Sequence, residues 1–160
     1  MSRASIFRKN VIKPTLTALN LGGDAVEELL LGTAVQESLN FTYREQVGGG
    51  PAVSYYQMEP ATHNDIWDNF LSYRETLAEK VTSLLTSSNA DKIEELKNND
   101  KYATAMARIH YLRVAESIPK AGDIKAQANY WKKHYNTPLG KGLPSEYITK
   151  WNRYVLEKHQ

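Results

Sequence analysis

The amino-acid sequence predicts a mainly helical fold built as a single domain. Its 160 residues match the usual size of one domain, and neither a linker nor an internal repeat divides them. Apolar residues recur at helical spacing along most of the chain, and one glycine-rich stretch interrupts them early. We therefore expect a single domain over 1–160, with an N-terminal arm at 1–23, a core at 24–135 and a C-terminal helix at 136–160.

Composition and charge exclude several classes of protein. The chain carries 20 basic and 18 acidic side chains, and this near balance argues against a dedicated nucleic-acid binder, which would show a basic stripe. Cysteine is absent, which excludes disulfides and thiolate chemistry. The basic N-terminus lacks the apolar run of a signal peptide, and no window approaches the roughly 20 apolar residues of a membrane-spanning helix. We expect no nucleic-acid partner, no membrane span and no signal peptide of the chain's own.

The helices are predicted from apolar spacing and from the residues that flank them. The stretch 13–19 predicts a short first helix. Asp24 is expected to cap a second helix over about 25–39, and Thr62 is expected to cap the next one. The small and apolar residues of 100–116 predict a central, largely buried helix. Further helices are predicted at about 74–86, 91–97, 123–135 and 145–158.

The segment between the second predicted helix and Thr62 differs in kind. Its glycine-rich run at 48–51 cannot be helical, while 52–58 is rich in aromatic and β-compatible residues. We expect a loop here, with a short hairpin. Loops on a rigid scaffold are where functional sites are commonly built, so this segment is the first place to look for one.

Glu37 is the residue whose position most suggests chemistry. It continues the apolar stripe through Val26 and Leu30 at the C-terminal end of the predicted helix. Partial burial and the negative pole of the helix both disfavour the charged carboxylate and raise the pKa. A carboxyl group that still carries a proton near neutral pH suits glycosidic cleavage, because the leaving oxygen must be protonated. The alternative is a glutamate at a frayed helix end, paired with Arg44 or simply solvated.

Two short frames of sequence carry a resemblance to a known family. The first is Glu37-Ser38, a loop, and then GPAVSYYQMEPAT at 50–62; the second is Ala128-Asn129-Tyr130-Trp131. They resemble the soluble-type lytic transglycosylases, whose pattern is Glu-Ser, a variable stretch, Gly-Ala-x-Gly-Leu-Met-Gln, a proline and a helix-starting threonine. The chain is also similar to small phage-encoded proteins with a lysozyme-like domain. The resemblance covers most of 25–135 and implies a lysozyme-like fold with a short loop or hairpin after the helix of the catalytic glutamate.

The resemblance also implies roles for the matching residues. Glu37 would act as general acid and then general base in cutting the β-1,4 bond between MurNAc and GlcNAc in peptidoglycan. Ser38 would orient Glu37 or touch the substrate, and the Gln57 amide would bind an N-acetyl or peptide group. The Tyr130 hydroxyl would hold Glu37 or an intermediate. The family needs no second carboxylate, because a hydroxyl of the sugar itself attacks and leaves an anhydro product. A conventional retaining or inverting pair would require a second acid facing Glu37.

Some residues depart from the family pattern, and others add candidates for the cleft. Ser54 stands where the family has a glycine, at a position where positive φ is expected, and Tyr55-Tyr56 replace Leu-Met. All three are predicted to line the cleft and to bind substrate. Trp131 replaces an asparagine. Aromatic rings can serve as stacking platforms for sugars, with core packing as the alternative role, and the candidates are Tyr43, Tyr55, Tyr56, Tyr130, Trp131 and Tyr135.

Neither a second acid nor a metal site follows from the sequence. Glu59 is either another acidic group in the cleft or, as we favour, a carboxylate stabilised by the N-terminus of the helix after it. The four histidines, at 63, 110, 134 and 159, match no compact ligand motif, and no cysteine ligand exists. His110 on the central helix is expected to be a hydrogen-bonded core residue. We predict neither a metal nor a cofactor.

These observations leave three functional hypotheses. The first is a phage-type lytic transglycosylase or muramidase, delivered by the virion or made late in infection, that acts in the host periplasm or cell wall. Its partners would be peptidoglycan glycan strands, with other virion proteins as a second class. The alternative is a non-catalytic structural component of a tail or baseplate with a lysozyme-like fold, favoured by Ser54 and the bulky Tyr55-Tyr56. The third is a sugar-binding module without turnover.

Overall fold

The computed structural model describes residues 1–137 and 139–156, and within them the chain is mainly helical, as predicted. Short π-helical segments join α1 to α2 and continue α8 and α9, at Arg8–Ile12, Lys132–Asn136 and Trp151–Leu156. The end of the predicted helix 145–158 and His159 lie outside the described residues. The α-helices are α1 (Arg3–Phe7), α2 (Lys13–Leu19), α3 (Asp24–Ser38), α4 (Pro60–Asn69), α5 (Glu75–Thr82), α6 (Lys92–Asn98), α7 (Asp100–Leu112), α8 (Ile124–Trp131) and α9 (Pro144–Lys150).

Side-chain caps define where three of the helices predicted from the sequence begin. Asp91, Asn99 and Asp123 each accept a hydrogen bond from a backbone N–H in the first turn of α6, α7 and α8, respectively. Such bonds satisfy donors that have no partner inside the helix. The three starts agree with the sequence prediction to within a residue or two.

Other helix boundaries differ from the predictions for local reasons. Asp24 is the first residue of α3 rather than its cap, and Gly23, with φ of 139°, precedes it. Helix α4 begins at Pro60 with Glu59 in the capping position, so the expected cap at Thr62 is wrong. The fixed φ and missing N–H of proline suit the first helical position. Helical structure also starts at α1, earlier than the predicted first helix.

The hydrophobic core forms around α3 and α7. Leu29 and Leu30 of α3 and Ala105 and Met106 of α7 have no exposed surface, and α3 also packs against α8 and α9. Nearly every residue of α7 from Tyr102 onward is buried, which confirms the prediction of a central helix. Core helices of this kind give a site on their ends a rigid support.

The loop between α3 and α4 folds back on itself. Isolated antiparallel bridges join Glu45 to Val53 and Val53 to Met58, and Val53 and Met58 exchange backbone hydrogen bonds of 3.0 and 2.9 Å. Gly48 and Gly49 at the tip have φ of 90° and 86°, values that glycine adopts without strain. The loop therefore carries local pairing, as the sequence suggests, without forming a regular strand in the described residues. None of the helices described reaches the length and apolar character that crossing a bilayer requires.

Candidate active site

An open groove of about 460 Å³ lies where the end of α3 meets this loop. The segment after α8 closes its other side. Glu37, at the end of α3, lies in the groove wall. The residues that line the groove are Glu37, Leu39, Tyr43, Gln46, Val47, Ala52, Gln57, Glu59, Tyr135, Asn136 and Gly140.

Glu37 occupies the last turn of α3 and is half-buried. Burial raises the pKa of its carboxyl from 4.5 to about 7, against the opposing effects of a hydrogen bond from Trp131 and the positive charge of Lys150. The Trp131 Nε1–H donates to Oε2 over 3.0 Å. The alternative pairing with Arg44 is wrong, because Arg44 forms its ion pair with Asp100. A carboxyl group with a pKa near 7 holds and releases its proton readily at neutral pH.

Ser38 lies inside the protein and secures the end of α3. It has no exposed surface; its Oγ donates to the Ala34 carbonyl and accepts from the Phe41 N–H, both over 2.6 Å. The Ser38 hydroxyl therefore already donates one hydrogen bond and accepts another, and Ser38 does not line the groove. The structure corrects the expectation of a substrate contact. Ser38 acts on Glu37 only by holding the backbone turn that follows it.

Of the residues predicted to line the cleft between the glycine run and Gln57, Ser54 and Tyr56 are buried, Tyr55 is half-buried against the core, and none of the three lines the groove. Ser54 is buried with φ of 74°, the left-handed conformation expected for the family glycine, and its Oγ accepts from the Tyr56 N–H. Tyr56 is 1% exposed, and its hydroxyl hydrogen-bonds to Thr104 on α7. Tyr55 packs edge-on against Phe41. The turn at Ser54 aims these rings at the core, so they do not narrow the groove.

Gln57 does face the groove and is held rigidly. Its side-chain Nε2 donates to the Ser54 carbonyl over 2.9 Å, and its own backbone has φ of 49°. The amide oxygen accepts no hydrogen bond from the described residues and is left for a ligand. This oxygen can accept from an N–H group, as the resemblance to the transglycosylases implies for an N-acetyl or peptide group.

Tyr130 does not hold Glu37. Its side chain is 3% exposed, and the hydroxyl donates to the Glu116 carbonyl over 2.8 Å. The next residue, Trp131, contacts Glu37 instead, because successive helical residues point about 100° apart. The sequence identified Trp131 only as an aromatic candidate and as a departure from the family. Its partner lies 94 residues away, and nothing in its local pattern reveals the contact.

Two of the aromatic candidates, Tyr43 and Tyr135, line the groove. Tyr43 is 40% exposed at the rim. Tyr135 is half-buried: its hydroxyl donates to the Tyr56 carbonyl over 2.6 Å, and its ring packs against His110 and Tyr111. The groove thus offers one exposed aromatic surface, Tyr43, and one held by a hydrogen bond, Tyr135, to a ligand.

Glu59 and the histidines complete the surroundings. Glu59 is exposed in the groove wall and also borders a side pocket of about 260 Å³ beside His110 and His134. Burial lowers the pKa of His110 to about 4, with the charge of Arg113 adding to the effect. His63 is buried, with Nε2 2.7 Å from the Tyr102 hydroxyl. The described residues contain no group of three or more side chains suited to a metal ion.

No protein-family model matches this sequence, and searches of curated proteins and of solved structures gave no significant match. The resemblance to lytic transglycosylases therefore rests on short frames alone, chiefly Glu37-Ser38 and the residues around Gln57. The geometry of the groove is the stronger ground for a functional proposal.

Proposed function

We propose that the protein is a phage-type peptidoglycan lytic transglycosylase or muramidase with a lysozyme-like fold, and that Glu37 is its catalytic acid and base. The observation that carries the proposal is a single carboxyl group with a pKa of about 7 in the wall of an open groove. Perturbed carboxyl groups in clefts are the usual sign of acid–base catalysis. Delivery by a virion to the cell wall, and glycan strands as the partner, belong to the same proposal.

The pKa of Glu37 suits both halves of the reaction. Near pH 7 about half of the molecules carry the proton on Glu37. The protonated form can donate to the glycosidic oxygen as the bond breaks, and the resulting carboxylate can then take a proton from the attacking hydroxyl. A carboxyl group with an ordinary pKa near 4.5 would be almost fully ionised at this pH.

The acids in the groove favour a reaction that uses one carboxyl group. Glu37 and Glu59 are the acidic side chains among the described residues that line it. Glu59 is exposed and hydrogen-bonds to no described side chain that would aim it at a substrate. The attack of a sugar hydroxyl, which leaves an anhydro product, needs no second carboxylate, whereas retaining and inverting hydrolysis do.

Binding of a glycan is supported by the remaining groove wall. The side-chain amide oxygen of Gln57 can accept a hydrogen bond from an amide N–H of the ligand. Tyr43 and Tyr135 offer aromatic faces for the C–H side of a pyranose. The hypothesis of a non-catalytic virion component was favoured by Ser54, Tyr55 and Tyr56, which were expected to obstruct the cleft. None of these residues lines the groove, so they no longer favour that hypothesis.

The decisive test is incubation of the purified protein with peptidoglycan, followed by separation of the muropeptides. We expect anhydro products from the wild type and a loss of about 10²–10⁴ in rate for Glu37→Gln, which keeps the size of the side chain but cannot deliver a proton. Glu59→Gln is the matched control, an acid removed from the same groove, and should retain activity.

Each other outcome points to a different conclusion. Loss of activity in Glu59→Gln with hydrolysed products would indicate a two-carboxylate mechanism. Turnover that survives in Glu37→Gln would place the acid elsewhere. An inert wild type that still assembles into virions would support the structural component instead. Far-ultraviolet circular dichroism of each variant checks that its fold is intact.

A further inference from the structure

The contact between Trp131 and Glu37 carries a consequence for where the acid proton lies. An indole N–H can only donate a hydrogen bond, so the oxygen that it contacts must act as an acceptor. That oxygen is Oε2, at 3.0 Å. Oε1 accepts no hydrogen bond from the described residues and is not fully buried, and Glu37 is one of the residues that line the groove.

We propose that Trp131 is a positioning residue that keeps the acid proton of Glu37 on Oε1, the carboxyl oxygen open to the groove. This inference rests on the proposed function. A protonated carboxyl group has one hydroxyl and one carbonyl oxygen, and the carbonyl oxygen is the better acceptor. Engaging Oε2 therefore leaves the hydroxyl at Oε1, where a glycosidic oxygen in the groove can receive the proton.

Trp131 is held too firmly to follow Glu37 if the carboxyl group rotates. The side chain has no exposed surface, and its ring packs on Tyr147 with a centroid distance of 5.5 Å. On another side lies Gly142, where an added Cβ would come within 2.6 Å of the indole Cη2. A ring enclosed in this way presents its N–H in one direction only.

The other groups that face Glu37 do not select between its two oxygens by hydrogen bonding. Lys150 on α9 acts on it through charge, while its Nζ donates to Gln36 over 2.9 Å. Tyr111 on α7 and Tyr135 after α8 stay neutral at neutral pH, because burial raises the pKa of each well above 10. Glu59 shares the groove wall. The indole is therefore the directional contact of this carboxyl group among the described residues.

The test compares Trp131→Phe with Trp67→Phe. The control also loses an indole hydrogen bond, from Trp67 Nε1 to the Tyr102 hydroxyl at 2.9 Å, at a position outside the groove wall. Carboxyl ¹³C NMR with labelled glutamate measures the pKa of Glu37 without any substrate. Loss of a hydrogen bond to the carboxylate should raise this pKa by about one unit in Trp131→Phe and leave it unchanged in the control.

The kinetic arm uses the same two variants on peptidoglycan. In Trp131→Phe the alkaline limb of the kcat profile should move up in pH with the pKa, and kcat should fall about tenfold or more with little change in KM. An unchanged Glu37 pKa, or an unchanged kcat profile in an active enzyme, would overturn the proposal. A shifted pKa in a protein that is inert from the outset would support the contact and overturn the proposed function alone.

A second measurement needs no Trp131 variant, in case Phe does not fold at this buried position. The indole N–H proton of Trp131 should titrate with the pKa of Glu37, near pH 7, in the wild type. The same resonance should lose this titration in Glu37→Gln. The proposal would be overturned if the chemical shift of the Trp131 N–H stayed constant between pH 5 and pH 9, about two units either side of the expected pKa.

Discussion

Replacing Glu37 by glutamine should stabilise the protein at neutral and alkaline pH and leave it unchanged in acid. Burial raises the pKa of Glu37 from 4.5 in the unfolded chain to about 7 in the fold. The folded state thus binds a proton more tightly than the unfolded state, so ionisation favours unfolding. The wild type should lose stability as pH rises from about 4.5 to about 7 and then reach a plateau.

The size of the effect follows from the shift itself. Each pKa unit corresponds to about 1.4 kcal/mol, so the wild type should be destabilised by about 3 kcal/mol above pH 7. Glutamine keeps an oxygen that accepts from Trp131 and carries no charge to desolvate. The free energy of unfolding of Glu37→Gln should therefore exceed that of the wild type by about 3 kcal/mol at pH 8 and equal it near pH 4.

Urea denaturation of both proteins from pH 4 to pH 8, a range of about four units that brackets the shift, measures this difference. The histidines and other acids contribute equally to both curves, so subtraction isolates Glu37. Glu59→Gln removes an exposed acid from the same groove and should follow the wild type closely. Parallel pH curves for wild type and Glu37→Gln would refute the reasoning, because they would show that Glu37 has the same proton affinity in both states.

Other predictions concern backbone strain, packing and acid sensitivity. Ser54→Gly should change the free energy of unfolding by no more than about 1 kcal/mol in urea denaturation, because relief of backbone strain at φ of 74° offsets the loss of the hydrogen bond from the Tyr56 N–H. Ser54→Ala loses the same hydrogen bond but keeps the strain, so it should cost about 1 kcal/mol or more. Gly32→Ala should lower stability by about 1–3 kcal/mol despite better helix propensity, because its Cβ would overlap the Tyr147 ring; an unchanged melting temperature would contradict this. In an NMR titration, His110, with its pKa near 4, should remain neutral at pH 5.5, about a unit below the ordinary histidine value. Because the unfolded chain takes up this proton at a higher pH than the folded protein, stability should fall as pH falls from about 6.5 towards 4. A His110 that titrates near 6.5 would show that its burial does not penalise the charged ring.

Local signals in the sequence were sufficient for much of the helical plan. The apolar spacing of α7 acts within a few residues, so it can be read without a partner segment, whereas the two caps predicted from the sequence, Asp24 and Thr62, are both wrong. The placement of Glu37 beside a glycine-rich loop also follows from local pattern, whereas the positive φ at Ser54 was expected from the glycine at this position in the family that the chain resembles. The lysozyme-like fold and the single domain stay predictions.

The tertiary structure decided which side chains meet in the groove. The family frame pointed to Tyr130 as the partner of Glu37, but the packing of α8 turns Tyr130 towards Glu116 and brings Trp131 to the carboxyl group. The turn at Ser54 likewise sends Tyr56 into the core, where a sequence reading placed it in the cleft. A rotation of about 100° separates neighbouring residues on a helix, so local periodicity defines a face but not what that face contacts. Contacts between residues 94 positions apart depend on how whole helices pack, and that packing also raises the pKa of Glu37 by removing its carboxyl group from water.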